Sequence, residues 1–189
     1  MNKTRIIFLS GVILLSGTYF FPLWKISLVV PQYPQEIYIN ILISKIENGS
    51  KKAMEIMNVL NHNIGMKEIN PEEIPELDYM PLALGILIFT GLIAVFPEKK
   101  IFRMGYVFLV VAMFSLALYD LYLWQYDYGH NLDEDAPIRL EGGSFQPPLI
   151  GKKYIANFIV KSFPAAGAGF PFLSLIIMIF GLIKEFRTG

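Results

Sequence analysis

Ile6-Ile-Phe-Leu-Ser-Gly-Val-Ile-Leu-Leu-Ser-Gly-Thr-Tyr-Phe-Phe-Pro-Leu-Trp24 is a run of 19 residues without a charge, preceded by Lys3 and Arg5. At about 1.5 Å rise per residue, a helix of that length covers the roughly 30 Å of a bilayer's hydrocarbon core. Small residues punctuate the run, as in a secretory signal, but no A-x-A cleavage pattern follows. It ends instead in Tyr19, Phe20, Phe21 and Trp24, the aromatic girdle of a membrane interface. The segment therefore reads as an uncleaved first membrane helix within residues 1–24.

Three more spans follow from the same criterion. Residues 79–97 are free of charge and open on Met80-Pro81, where proline suits a first helical turn that has no N–H partner to lose. Residues 104–124 carry only Asp120, and residues 165–183 end at Lys184, Glu185 and Arg187, with Pro171 marking the start of the regular helix. The termini and the 98–103 turn hold seven basic and two acidic residues; the other side holds nine basic and fourteen acidic. The positive-inside rule then places both termini, including the 184–189 tail, in the cytoplasm, with the connectors 25–78 and 125–164 outside.

Composition agrees and narrows the chemistry. Of 189 residues, 54% are apolar or aromatic and only 17% charged, and there is no cysteine. That excludes a disulfide framework, thiolate metal sites and thiol redox chemistry. Sixteen basic residues balance sixteen acidic ones without a basic patch, so nothing points to nucleic acid. No G-x-S-x-G, H-E-x-x-H, P-loop or G-x-G-x-x-G is present, which argues against an enzyme. No span contains G-x-x-x-G, the commonest signal for close helix pairing.

The expected fold is a mainly helical membrane protein of four spans, bearing an outward cap of one β-hairpin, short helices and ordered loops. Lys25 to Val30 and Glu36 to Ile43 alternate apolar and polar residues around Pro31-Gln-Tyr-Pro34, the pattern of a hairpin. An amphipathic helix is expected from Ser50, its cap, to Ile64, ended by Gly65; Asn48-Gly-Ser50 also matches a glycosylation acceptor. Residues 126–135 and Gly142 to Pro148 read as irregular chain rich in turn formers. From Ile150, the placement of Tyr154, Ile155, Phe158 and Ile159 suggests a short surface helix.

Few residues carry chemistry. The two histidines, His62 and His130, both fall in the outward connectors, and Met66 lies four residues beyond His62. Imidazole with a thioether is a ligand set suited to copper, particularly the reduced ion. The competing reading has His62 stabilising a helix end and Met66 filling core. Asp133, within an acidic triplet, is placed to orient His130. Asp120, inside a span, and Asp127, seven residues on, could form an acidic entrance for a cation or proton. Tyr33, Tyr38, Tyr126 and Tyr128 supply aromatic anchors for a protein partner, Tyr33 and Tyr128 foremost.

Pro31-Gln-Tyr-Pro34, Asn61-His-Asn-Ile-Gly-Met66, Tyr128-Gly-His-Asn-Leu-Asp133 and Gln146-Pro-Pro-Leu-Ile-Gly151 together resemble a family of small four-span membrane proteins. That family is associated with the accessory genes of nitrous oxide reductase, a periplasmic copper enzyme, in Bacteroidetes-like bacteria. The resemblance runs from about Leu23 to Pro164. It implies a non-enzymatic role in assembling that enzyme, supplying it with copper or delivering electrons to it, with His62, Met66 and His130 as matching positions. The chain departs from the pattern at Asn63, Gln35 and Gly143, where the family carries an aromatic, an acid and a methionine. The alternatives are a scaffolding subunit that docks a periplasmic partner without metal, and a redox carrier with haem or quinol, which two loop histidines support poorly.

Overall fold

The computed structural model describes residues 3–138, 144–155 and 157–188. Gly142 and Gly143 of the turn-rich run lie outside them. Among the described residues, five α-helices and five strands follow in chain order: α1 (Lys3–Leu14), β1 (Trp24–Val29), β2 (Ile37–Ile41), β3 (Ile46–Asn48), α2 (Ala53–Asn63), α3 (Glu76–Ala94), α4 (Lys100–His130), β4 (Gly151–Ile155), β5 (Phe158–Pro164) and α5 (Gly169–Thr188).

Three helical segments are long and apolar enough to cross a membrane: Glu76–Ala94, Lys100–His130 and Ala166–Arg187. Their outer faces carry side chains such as Phe89, Phe108 and Phe172, exposed by 63%, 75% and 66%. Water would not tolerate so broad an apolar belt, whereas lipid suits it. The first expected span is built differently. Regular α-helix stops at Leu14 and continues as a 3₁₀ helix from Leu15 to Tyr19. The 3₁₀ form climbs about 2.0 Å per residue, so the two pieces together still rise about 28 Å. This segment lies along α5, where Gly11 and Gly181 let the backbones approach; Ser174 Oγ donates to Gly11 O at 2.6 Å.

Several expectations need correction. Pro81 lies within α3 rather than at its start, because the helix begins at Glu76; the Tyr19 hydroxyl donates to the Pro81 carbonyl at 2.6 Å. The third helix does not end at Trp124. It runs on as helix through Tyr126, Asp127 and His130, residues expected in irregular chain. Ser50 does not cap α2: its hydroxyl accepts from Tyr38 N–H, Asn48 Oδ1 accepts from Met54 N–H at 2.7 Å, and the helix starts after Lys52 in left-handed conformation.

The largest correction concerns the expected surface helix from Ile150, since Gly151–Ile155 and Phe158–Pro164 form strands. The pairs Tyr154–Ile155 and Phe158–Ile159 fit one helical face, yet they equally fit two antiparallel strands, with Ile155 opposite Phe158. What decides is tertiary: β5 pairs antiparallel with β1, from Trp24 opposite Pro164 to Val29 opposite Ile159. The cap is consequently one five-stranded antiparallel sheet, ordered β3-β2-β1-β5-β4, and the expected hairpin is only part of it. Both long connectors meet in that sheet, on one side of the helices.

Two cores result. The helical core gathers Phe8, Val12, Leu84, Tyr106, Val110 and Met178. The cap core gathers Trp24, Ile26, Leu28, Met57, Phe158 and Val160 beneath the inner face of the sheet, closed by α2 and the last two turns of α4.

Candidate functional site

The cap is organised around the end of α4. Trp124 and Tyr128 pack on the cap core, with ring centroids 4.4 Å apart, and Gln125 is fully buried between them in sequence. Gly129 makes this possible, since a Cβ there would meet the Gln146 backbone at 2.2 Å; Phe145 N–H donates to Gly129 O at 3.0 Å. Residues 66–70 run extended between α2 and α4, and side chains take the place of a strand partner. Asn61 Nδ2 donates to Lys67 O at 3.3 Å, the Tyr128 hydroxyl to Glu68 O at 2.9 Å and Asn58 Nδ2 to Ile69 O at 3.2 Å. Asn58 Oδ1 also accepts from Ile69 N–H at 2.8 Å. Asn58 and Asn61 stand three residues apart on α2, so one helix face delivers both amides.

The candidate residues separate into groups. His62 is exposed in the last turn of α2, whereas Met66 packs against the cap core and lines its interior cavity. His130 is exposed at the end of α4, its ring stacked on Tyr126 at 3.9 Å. Its Nδ1 lies 3.0 Å from the Tyr126 carbonyl, which only accepts, so Nδ1 is the donor of that contact. The loop after His130 is laid along the end of α2: Asp133 N–H donates to Gly65 O at 2.8 Å, and Ile138 N–H to Asn63 O at 3.0 Å. Gly65 tolerates this with φ +77°, and a Cβ there would meet Asp133 O at 2.8 Å. The Asp133 carboxylate accepts from Asp135 N–H at 2.9 Å.

The two aspartates of the supposed entrance differ. Asp127 pairs with Lys67 Nζ at 2.8 Å and accepts from Asn131 Nδ2, so its charge is already matched. Asp120 is half-buried on α4, near enough to Glu76 and Tyr79 at the start of α3 for their charges to interact. Tyr33 is exposed at the β1–β2 turn, while the Tyr128 hydroxyl is spent on Glu68. Among the described residues, no three His, Cys, Asp or Glu side chains gather as a metal site.

Three features were not read from the sequence. Gln125 Nε2 donates to Ser162 Oγ at 3.4 Å, in a hub where Trp24 Nε1 donates to Ser162 Oγ at 2.8 Å and that hydroxyl donates to Leu149 O at 2.9 Å. Gln125 Oε1 is buried without a hydrogen-bond partner. Glu36 accepts from Lys161 Nζ at 2.9 Å and from Ser27 Oγ at 2.7 Å, bonds that hold its carboxyl below the usual range. At the opposite end of the molecule, fully buried Arg103 forms a two-pronged pair with Glu185, at 2.9 and 2.5 Å, and donates to Pro97 O at 2.6 Å. The sequence marks Arg103 and Glu185 only as charges flanking spans, and nothing local distinguishes them from solvated ones.

Neither the models of known protein families nor the curated proteins contain a match to the chain.

Proposed function

We propose that this chain is a non-enzymatic accessory protein of a bacterial inner membrane, crossing it four times with both termini cytoplasmic, whose cap docks a periplasmic partner. The partner class is a copper enzyme of the nitrous oxide reductase kind, which the cap helps to mature. The observation that carries this reading is the union of two distant connectors into one sheet, buttressed by a helix that rises out of the bundle. Such a construction holds a surface at fixed height and orientation above the lipid, which suits presentation to a partner. The four-stringed resemblance between Leu23 and Pro164 names the partner class and falls on the cap. Support for the fourth crossing comes from the roughly 28 Å rise of residues 3–19 and their contact along α5. Exposed Tyr33, on the rigid Pro31–Pro34 turn, is the first partner anchor.

A second reading, copper supply through His62, Met66 and His130 with Asp133 behind them, is favoured by one arrangement. Residues 131–138 tie the end of α4 to the end of α2, and His130 offers Nε2 while a carbonyl holds Nδ1, as metal-binding histidines commonly do.

Deleting the gene in a host that carries the copper enzyme tests the proposal. The expected result is enzyme that accumulates in the periplasm with depleted copper, restored by the wild-type chain and less well by Tyr33→Ala. Full copper loading in the deletion strain would refute it.

A further inference from the structure

We propose that the interior of the cap is a binding site for one soft monovalent cation of the Cu(I) or Ag(I) type. The ligands are the thioethers of Met57 and Met66 and Gln125 Oε1, against the face of Trp124. The inference stands on the cavity itself and shares only Met66 with the imidazole reading.

A cavity of about 40 Å³ lies between the sheet, α2 and α4, and these four side chains line it together with Asn61 and Tyr128. One occupant of water size needs roughly 10–15 Å³, so the space admits a single ion with room for adjustment. The polar inventory of the lining decides what kind of occupant fits. The polar side chains that line it each make one bond elsewhere: Asn61 Nδ2 donates to Lys67 O, Gln125 Nε2 to Ser162 Oγ and the Tyr128 hydroxyl to Glu68 O. The lining is also rich in electron pairs: Gln125, whose Oε1 has no partner and whose side chain is 0% exposed, two methionines and the aromatic residues Trp124 and Tyr128.

The lining holds no cationic side chain to attract an anion. It lacks the carboxylates that a hard divalent cation requires. Thioethers favour Cu(I), and an indole face attracts a cation, more strongly when water is excluded. An uncharged ligand set neutralises none of the ion's charge, which limits the site to a single positive charge in so apolar a surround.

Ag(I) serves as the redox-inert probe. Full-length protein in detergent is titrated with Ag(I), with stoichiometry read by native mass spectrometry and occupancy by quenching of Trp124 fluorescence. One ion should bind per chain. Met57→Leu and Met66→Leu, which preserve volume, should each weaken binding at least tenfold while the thermal unfolding profile stays intact. His62→Ala and His130→Ala should bind as wild type does, and Trp124→Phe should retain the ion but lose most of the quenching. Absence of stoichiometric binding to the wild-type chain overturns the proposal, as does undiminished affinity in both leucine variants. Loss of binding confined to the histidine variants also overturns it, and transfers the ion to the surface imidazoles.

Discussion

Arg103 ties together the end of the bundle opposite the cap. Its guanidinium is fully buried, and Glu185 and backbone carbonyls from the α3–α4 turn accept from it, so the α3–α4 turn and the end of α5 share one ion pair. Removing one partner of such a pair leaves the other charge buried and unmatched, at a cost of about 3–5 kcal/mol. Arg103→Ala should lower unfolding stability in detergent by that order. Arg103→Met with Glu185→Leu should recover much of it, because the burial penalty disappears along with the attraction. A loss below about 1 kcal/mol in Arg103→Ala would mean the pair is hydrated. At this scale the sequence was least informative. Gln125 and Arg103 owe their roles to partners 37 and 82 positions away, and no local pattern marks them. His62 and His130 stood out as the chain's two histidines, and Met66 only by its spacing from His62. The structure separates Met66, which lines the interior, from the two exposed imidazoles.

Among the elements, β1 was legible and β5 was not. The run from Lys25 to Val30 alternates cleanly, and its inner residues Trp24, Ile26 and Leu28 are buried as the alternation requires. Phe158–Pro164 alternates too, with Phe158, Val160 and Ser162 inward, but Ile155 and Ile159 match a helical spacing as readily. Short apolar runs carry both periods, and pairing with β1 settles the outcome. The clasp between these elements should show in pH dependence. Glu36, ahead of β2, is held by Lys161 on β5 and by Ser27 on β1, which depresses its carboxyl. A depressed carboxyl stabilises the fold fully above its unfolded value of about 4.3. That contribution is lost as pH falls through the lower folded value. The pair is about one-third exposed, so the contribution should stay below about 1 kcal/mol. Unfolding of wild type and Glu36→Gln, compared between pH 7 and pH 3, should differ most at pH 7 and converge at acid pH. A difference that grows on acidification would contradict the assignment.

For the whole molecule, the membrane character was readable because it rests on length and composition alone. Three helices satisfy it, and the first segment reaches a comparable rise by changing helix type at Leu15. The missing G-x-x-x-G proved uninformative about packing, since α1 and α5 approach through single glycines, Gly11 and Gly181, on different helices. What the sequence concealed was the unity of the cap, because a sheet assembled from residues 24–48 and 151–164 depends on contacts more than a hundred positions apart. The account rests on that sheet standing on one side of the membrane. The chain has no cysteine, so a pair introduced at Lys25 and Phe163, facing partners on β1 and β5, reports on it without background. On mild oxidation of intact cells the two thiols should form an intramolecular disulfide, and before oxidation both should react with a membrane-impermeant maleimide from the periplasmic side. Failure to cross-link, with one of the two thiols labelled only after the membrane is opened, would contradict the account.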